Sequence, residues 1–481
     1  MMFKLFRAVP VWLMVTVFAG CGDGLGGGVV ADGGIRGTGS SVGPVSGFGS
    51  VFVNGVKFET NAINGEVESN DGVVAEQAIE KGMILKVEGE WQNAVAGRAT
   101  RVEYDDILRG AVTAATWLDE KRSAGTIDVA GQAVEFDGQT VVVGAARSLL
   151  IANPTGFSVR VSGWRLQSGR FRASFVRATE TRFDDPNDTE IEGPIANLDT
   201  LAQTFQIGGI TVEYGIEAVM YSGLTEADLV NGRAVEVEGQ LRLGRLVAHQ
   251  IQNDDHRRFS STDGGGALIE GPVSGNVSDR QFLLAGILVR IDDNTRFDEG
   301  LVESELGNGL LVRVAGEFSN NVLIARHIER RDADASVDAE LIAVDRSGRQ
   351  LNVGGVLVRL TNSSLIEDDE GNSQRRTLDD LMPGDRLVIQ GVQRLMPDRF
   401  LTAFKIARSG AGETDYTLEG TVSETSADAM TVLGVTLRAT PAQLSAVSGG
   451  DSVRLTYRMT AGGEFEVISV DWVGAAAGPG T

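Results

Sequence analysis

An all-β chain of about six tandem, closely related units is what the sequence predicts. Three recurring features predict it: a strand of alternating apolar residues between glycines, a tight hairpin turn, and a short capped helical turn. The strand reads Gly-x-x-Leu/Val-x-Val/Ile/Leu-x-Gly. It runs from Gly82 to Gly89, Gly156 to Gly163, Gly232 to Gly239, Gly309 to Gly316 and Gly384 to Gly391, with a sixth copy, Gly450 to Tyr457, lacking the closing glycine. Successive first glycines lie 74, 76, 77, 75 and 66 residues apart, a near-constant period that marks internal repetition.

Within each copy, period-two alternation places Val, Leu and Ile on one face. The other face carries mainly charge, as in Lys86, Glu88, Arg160, Glu236, Glu238, Arg313 and Arg454. That pattern is a half-buried antiparallel strand. The bracketing glycines suit a tight turn, a bulge or a close backbone approach.

The hairpin is clearest at Asn54-Gly55, a pair favouring a type I′ turn with positive φ at both central residues. Its counterparts are Ala130-Gly131, Gly208-Gly209, Ala285-Gly286, Gly354-Gly355 and Leu433-Gly434. Ala and Leu suit a left-handed position poorly, so the turn type is expected to vary between units.

Thr225 to Asp228, Thr377 to Asp380 and Thr440 to Gln443 read as helix caps with an acidic or amide residue three on, and predict one helical turn per unit. Units close on Ala-x-x-Val/Ile, as in Ala99 to Val102 and Ala403 to Ile406. A spacing of three breaks strict alternation, so a bulge or sharp twist is expected there.

Five or six short strands, a hairpin and a helical turn in about 75 residues suit a small barrel resembling an OB-fold, whose closure removes exposed edges. The expected boundaries are a signal peptide over 1–20, a Gly-rich tether over 21–41, and units over 42–104, 107–180, 190–254, 267–331, 337–408 and 416–473, with a tail over 474–481. We call these units one to six. Separate barrels that touch their neighbours are favoured over one solenoid with a shared core, because the units exceed the usual solenoid repeat of roughly 20–45 residues.

The N-terminus reads as an export signal, with Lys4 and Arg7 ahead of an apolar run from Val9 to Phe18. Phe18-Ala19-Gly20-Cys21 resembles the bacterial lipobox, with Phe18 where Leu is usual. The resemblance implies acylation of Cys21, and Gly22 after it implies sorting to the outer membrane, facing either the periplasm or the surface. The tether would give a reach of about 25 Å from the anchor.

Gly43-Pro44-Val45-Ser46-Gly47-Phe48-Gly49-Ser50-Val51-Phe52-Val53-Asn54-Gly55-Val56 resembles the opening of an uncharacterised repeat domain of bacterial lipoproteins. It implies export and repetition, and brings no catalytic residues.

Composition excludes some chemistry. The net charge of −23 opposes nucleic-acid phosphates, and one Cys rules out an internal disulfide framework and multi-Cys metal sites. His249 and His327 fall on equivalent closing strands but one position apart, and His256 lies in an acidic join, so no metal site is expected. Gly39 to Gly43 matches a nucleophile-elbow pattern but lies in the expected tether, without its strand and helix. Acidic runs at Asp184 to Glu190, Asp292 to Asn294 and Glu367 to Glu370 read as solvated loop charge. Trp91 and Trp164, just past the alternating strand, are either semi-buried caps or a sugar-stacking platform. The expectation is a non-catalytic, lipid-anchored envelope scaffold without cofactor that contacts an envelope or extracellular protein. A polysaccharide-binding module is the alternative, and an enzyme of unrecognised type the third reading.

Overall fold

The computed structural model describes residues 37–69, 72–119, 124–180, 188–253, 264–368, 376–395, 398–409 and 415–474. The signal peptide, Cys21, His256 and the tail beyond Gly474 lie outside them. The described chain is all-β and folds into small closed barrels within three sheets. Unit four illustrates the circuit. Its opening strand, Gly266–Ser278, pairs with Gln281–Leu284 and through the hairpin with Ile287–Arg290. That strand runs parallel to the closing strand Val322–Arg330, which pairs with the alternating strand Leu311–Ser319, which returns to the opening strand. The same sequence of pairings recurs in units one, two, five and six.

The closing glycine has a steric cause. At Gly89, Gly163, Gly239, Gly316 and Gly391 the register slips, so two closing-strand residues oppose one on the alternating strand. A Cβ on these glycines would sit 2.0–2.3 Å from a carbonyl oxygen across the bulge, that of Arg98, Arg172, Val247, Ile324 or Thr402. The extra residues are Thr100, Ser174, His249, Arg326 and Phe404. The Ala-x-x-Val/Ile spacing is thus the trace of a bulge that bends each strand around its barrel. His249 sits in the bulge and His327 beside one, so the two face differently.

The expected variation in hairpin type occurs at Gly208-Gly209, where only the first glycine is left-handed, and not at the alanine and leucine turns that prompted it. Ala130, Ala285 and Leu433 adopt φ of 47°, 46° and 50°, like Asn54 at 54°, each followed by a left-handed glycine. The twist of the flanking strands selects this turn strongly enough to hold an unfavourable residue in it. The turns also meet neighbouring units. A Cβ on Gly354 would lie 2.5 Å from the Tyr457 hydroxyl of unit six, and one on Gly131 3.0 Å from Ile210 of unit three. In the sixth unit Tyr457 takes the place of the closing glycine and donates to the Gly354 carbonyl at 2.9 Å.

Helical turns occur in every unit. Asp228 accepts the Thr225 N–H at 2.8 Å and Asp380 that of Thr377 at 2.7 Å, while Thr440 and Gln443 cap each other reciprocally. Unit one has two such turns, and unit two an α-helix, Arg147–Ala152, followed by a 3₁₀ turn.

The expected separation into touching but independent barrels is also corrected, because opening strands join barrels in pairs. Glu190 and Ile191 of unit three pair with Arg109 and Leu108 of unit two, and Ser336–Asp338 of unit five with Thr417–Glu419 of unit six. Unit one skips two neighbours: Gly39–Val42 run parallel to Gly266–Ile269 of unit four. Units two and three share one apolar core, as do five and six. The end of the expected tether is likewise strand, since Gly37–Gly47 pairs with Ile84–Asn93 and buries Ser40 and Ser41. Ser41 therefore is no exposed nucleophile. Because unit one pairs with unit four, cutting the chain at a protease site inserted between Asn253 and Gly264 is expected to leave both fragments together in native gel filtration. Separation without denaturant would refute the pairing.

Candidate functional site at the junction of four units

Units one, two, four and five meet around a cavity of about 60 Å³. Its wall includes Ser46 and Asn54 of unit one, Asp137, Trp164 and Arg172 of unit two, Glu270 and Arg331 near the ends of unit four, and Ser363, Phe404 and Lys405 of unit five. The bulges help to build it, because the extra residues Ser174 and Phe404 lie in the wall.

The wall is held by hydrogen bonds between units. Arg172 bridges Asp137 at 2.9 Å and Asp332 at 2.6 Å, joining unit two to the segment after unit four. Gln139 donates to the Arg331 carbonyl at 3.0 Å and accepts from the Ala333 N–H at 2.9 Å. Arg331 donates to Glu270 at 2.9 Å, reaches Glu329 at 3.4 Å and lies 4.2 Å over the Phe404 ring. Lys405 donates to the Thr140 carbonyl at 2.6 Å and pairs with Glu367 at 2.7 Å. Ser46 donates to the Asn362 carbonyl at 2.7 Å, and Lys81 to those of Ile366 and Arg376 at 2.5 and 2.6 Å.

Burial works to raise the Glu329 carboxyl, but Arg313 and then Arg331 outweigh it and bring the group to about 2. Burial alone would lower the Arg331 and Arg172 guanidiniums; their carboxylate partners overcome it and raise both. These are satisfied buried pairs, and such networks lose heavily when one member is removed.

The acidic runs read as solvated need correcting in part. Glu367 and Asp368 are buried, Asp368 against Arg376 at 2.7 Å and Arg408 at 3.0 Å. Glu190 is fully buried at the seam of units two and three, where Arg109 lies 3.3 Å from it and from Glu238. Carboxylate oxygens of Asp105, Glu190 and Glu236 lie within 4.8 Å of one another, an oxygen set of the kind that hard cations take. Burial, then the charges of Glu236 and Asp106, push Glu190 well up against the pull of Arg109. Asp293 is exposed and pairs with Arg280, while the half-buried Asp292 accepts the Asn294 N–H.

Both tryptophans are buried. Trp91 packs edge-on to Phe58 at 5.2 Å and against Gly39, within the core of unit one. Trp164 donates to the Glu270 carbonyl at 3.1 Å and lines the cavity from within. Its ring is spent between units rather than offered to a polymer.

Sequence reasoning missed this junction. The visible signal was divergence at one position: where unit five has Lys405, units one to four carry Arg101, Phe175, Gln250 and His327.

The model of a family described as a domain of unknown function, DUF5666, matches three tandem stretches, 109–177, 192–252 and 270–329. They fall in units two, three and four, whereas the opening resemblance rested on unit one. No curated protein matches the chain.

Proposed function

We propose that the chain is a non-catalytic, lipid-anchored scaffold of the cell envelope, made of six OB-like copies of one domain locked into a single body. It presents its divergent outer loops to an envelope or extracellular protein. The observation that supports this most is the junction itself. The ionic groups lining it are paired, and the bonds of Gln139, Ser46 and Lys405 run from unit to unit. Such a network favours a rigid platform with fixed distances between its exposed loops. Anchoring rests on the lipobox resemblance at Cys21, and the acidic balance opposes nucleic acid as a partner. The polysaccharide reading loses its main support with the burial of Trp91 and Trp164.

The test is in-cell crosslinking of the whole protein beside Cys21→Ser. A defined protein partner recovered with the wild type, and lost together with membrane partition in Cys21→Ser, is the expected result. Turnover of any substrate by the purified chain, or an unchanged membrane fraction for the variant, would overturn the reading.

A further inference from the structure

We infer that the exposed face of unit five around Ile342 and Met382 docks a second copy of this chain, which meets it with the same face. Backbone bonds fix which residues correspond across units. In unit one the Val45 N–H donates to the Met83 carbonyl at 2.9 Å, and the Gly82 N–H to the Val45 carbonyl at 2.8 Å. In unit five the Leu341 N–H donates to the Asp385 carbonyl at 2.8 Å, and the Gly384 N–H to the Leu341 carbonyl at 2.9 Å. The register slips just after Val45 and just after Leu341, leaving Ser46 and Ile342 as the extra residues. Ile342 thus stands where unit one has Ser46, and Met382-Pro383 where it has Glu80-Lys81.

In unit one those three residues bind other units. Ser46 donates to the Asn362 carbonyl and Lys81 to those of Ile366 and Arg376, all in unit five, while Glu80 pairs with Arg177 of unit two at 2.6 Å. The corresponding stretch of unit four also meets another unit, the Gly275 N–H donating to Gln167 of unit two at 3.1 Å. Twice within this chain, then, the face is filled by a unit of the same domain. A further unit of that domain is the occupant it fits, and a second copy supplies one.

In unit five the face is open and apolar. Met382 is 61% exposed and Ile342 38%, with Ala343 and Pro383 exposed beside them. At the Ile342 position the other units carry Ser46, Thr113, Ala196, Ser274 and Ser423, so the fold does not require a large apolar residue there. Covering such surface is worth about 25 cal/mol per Å². A chain of net charge −23 repels its own copies, which directs contact to an apolar face of balanced charge. Arg346, bonded to the Leu381 carbonyl at 3.0 Å, and Asp379 supply one charge of each sign beside Met382. Apposition of one face with itself gives a closed two-fold pair, the commonest symmetry of soluble oligomers.

The test is sedimentation velocity on the full chain carrying Cys21→Ser, which keeps acyl chains out of the association, at roughly 1 to 100 µM, where weak specific contacts are seen. A concentration-dependent equilibrium of monomer and dimer is expected. Ile342→Ser with Met382→Glu installs the residues that unit one carries at those positions, so the melting temperature should hold. The dissociation constant of the dimer should rise about tenfold or more. Met382→Glu alone serves if the double variant does not fold. Val230→Glu, at the Met382 position of unit three, is the control and should leave the dimer unchanged. A monomer throughout, assemblies beyond the dimer, a dimer untouched by the folded variant, or one lost equally in Val230→Glu overturns the inference. None of these outcomes bears on the protein partner or the membrane anchor.

Discussion

Gly391→Ala is expected to lower the stability of units five and six by about 3 kcal/mol or more, the upper end of what overpacking costs. The new Cβ would sit 2.0 Å from the Thr402 carbonyl oxygen, 2.8 Å from its carbon and 3.1 Å from the Ala403 Cα. All three are backbone atoms in a paired strand, so no side chain can swing away. Relief requires moving the bulge, and the bulge carries Phe404 and Lys405 into the junction. The variant should therefore also weaken the contact between units five and two, where Lys405 reaches the Thr140 carbonyl. Gly449→Ala is the control: it has open space around its Cβ and no left-handed φ. It should be neutral or stabilising by up to about 1 kcal/mol, through the unfolded chain. Urea midpoints of the two variants compare them directly, and equal midpoints would sink the steric account of the closing glycine.

The same residues show what a sequence can and cannot convey. Alternation at Leu85 and Val87 announces a strand because its period is set within the strand itself. The closing glycine and the Ala-x-x-Val/Ile spacing announce the bulge, since both halves of the contact recur in five of the six copies. The Asn-Gly hairpin was legible for that reason too, although Leu433 in a left-handed position was not, because its strain is imposed by strands on either side. Pairing between units left no such trace. Five of the six opening strands carry the same Gly-x-Val/Ile run, so nothing local says that Gly39–Val42 will choose unit four rather than unit two. The junction was hidden by distance and by difference. Gln139 and Arg331 are 192 residues apart, and Thr140 and Lys405 265. They are the residues in which the copies do not resemble one another, so repeat analysis averages them away. Polar runs such as Glu367-Asp368 look solvated until a cation from another strand is brought to them.

Arg331→Met should cost about 3–5 kcal/mol at neutral pH, the usual penalty for removing one member of a buried ionic network. Arg331 is 6% exposed and Glu270 5%, so the carboxylate left behind has little water to turn to. The pH dependence separates this cause from simple loss of packing on Phe404. Glu329 titrates near 2 in the folded protein against 4.5 ordinarily, so it binds protons less readily folded than unfolded. Its contribution is fully present above the unfolded value and is lost as pH falls from about 4.5 towards 2, a loss of roughly 3 kcal/mol. Arg331→Met removes one of the two cations holding that carboxyl down, while Arg313 remains. Its folded value must rise, and the acid limb of the stability curve must become shallower. Protonation of Glu329 also relieves part of the stranded charge, so the gap between wild type and variant should narrow as the solution is acidified. Urea denaturation at neutral pH and near pH 3 measures both effects. A gap of constant size would mean that Arg331 acts as a hydrophobic spacer on Phe404, and that the ionic network does not hold the four units together.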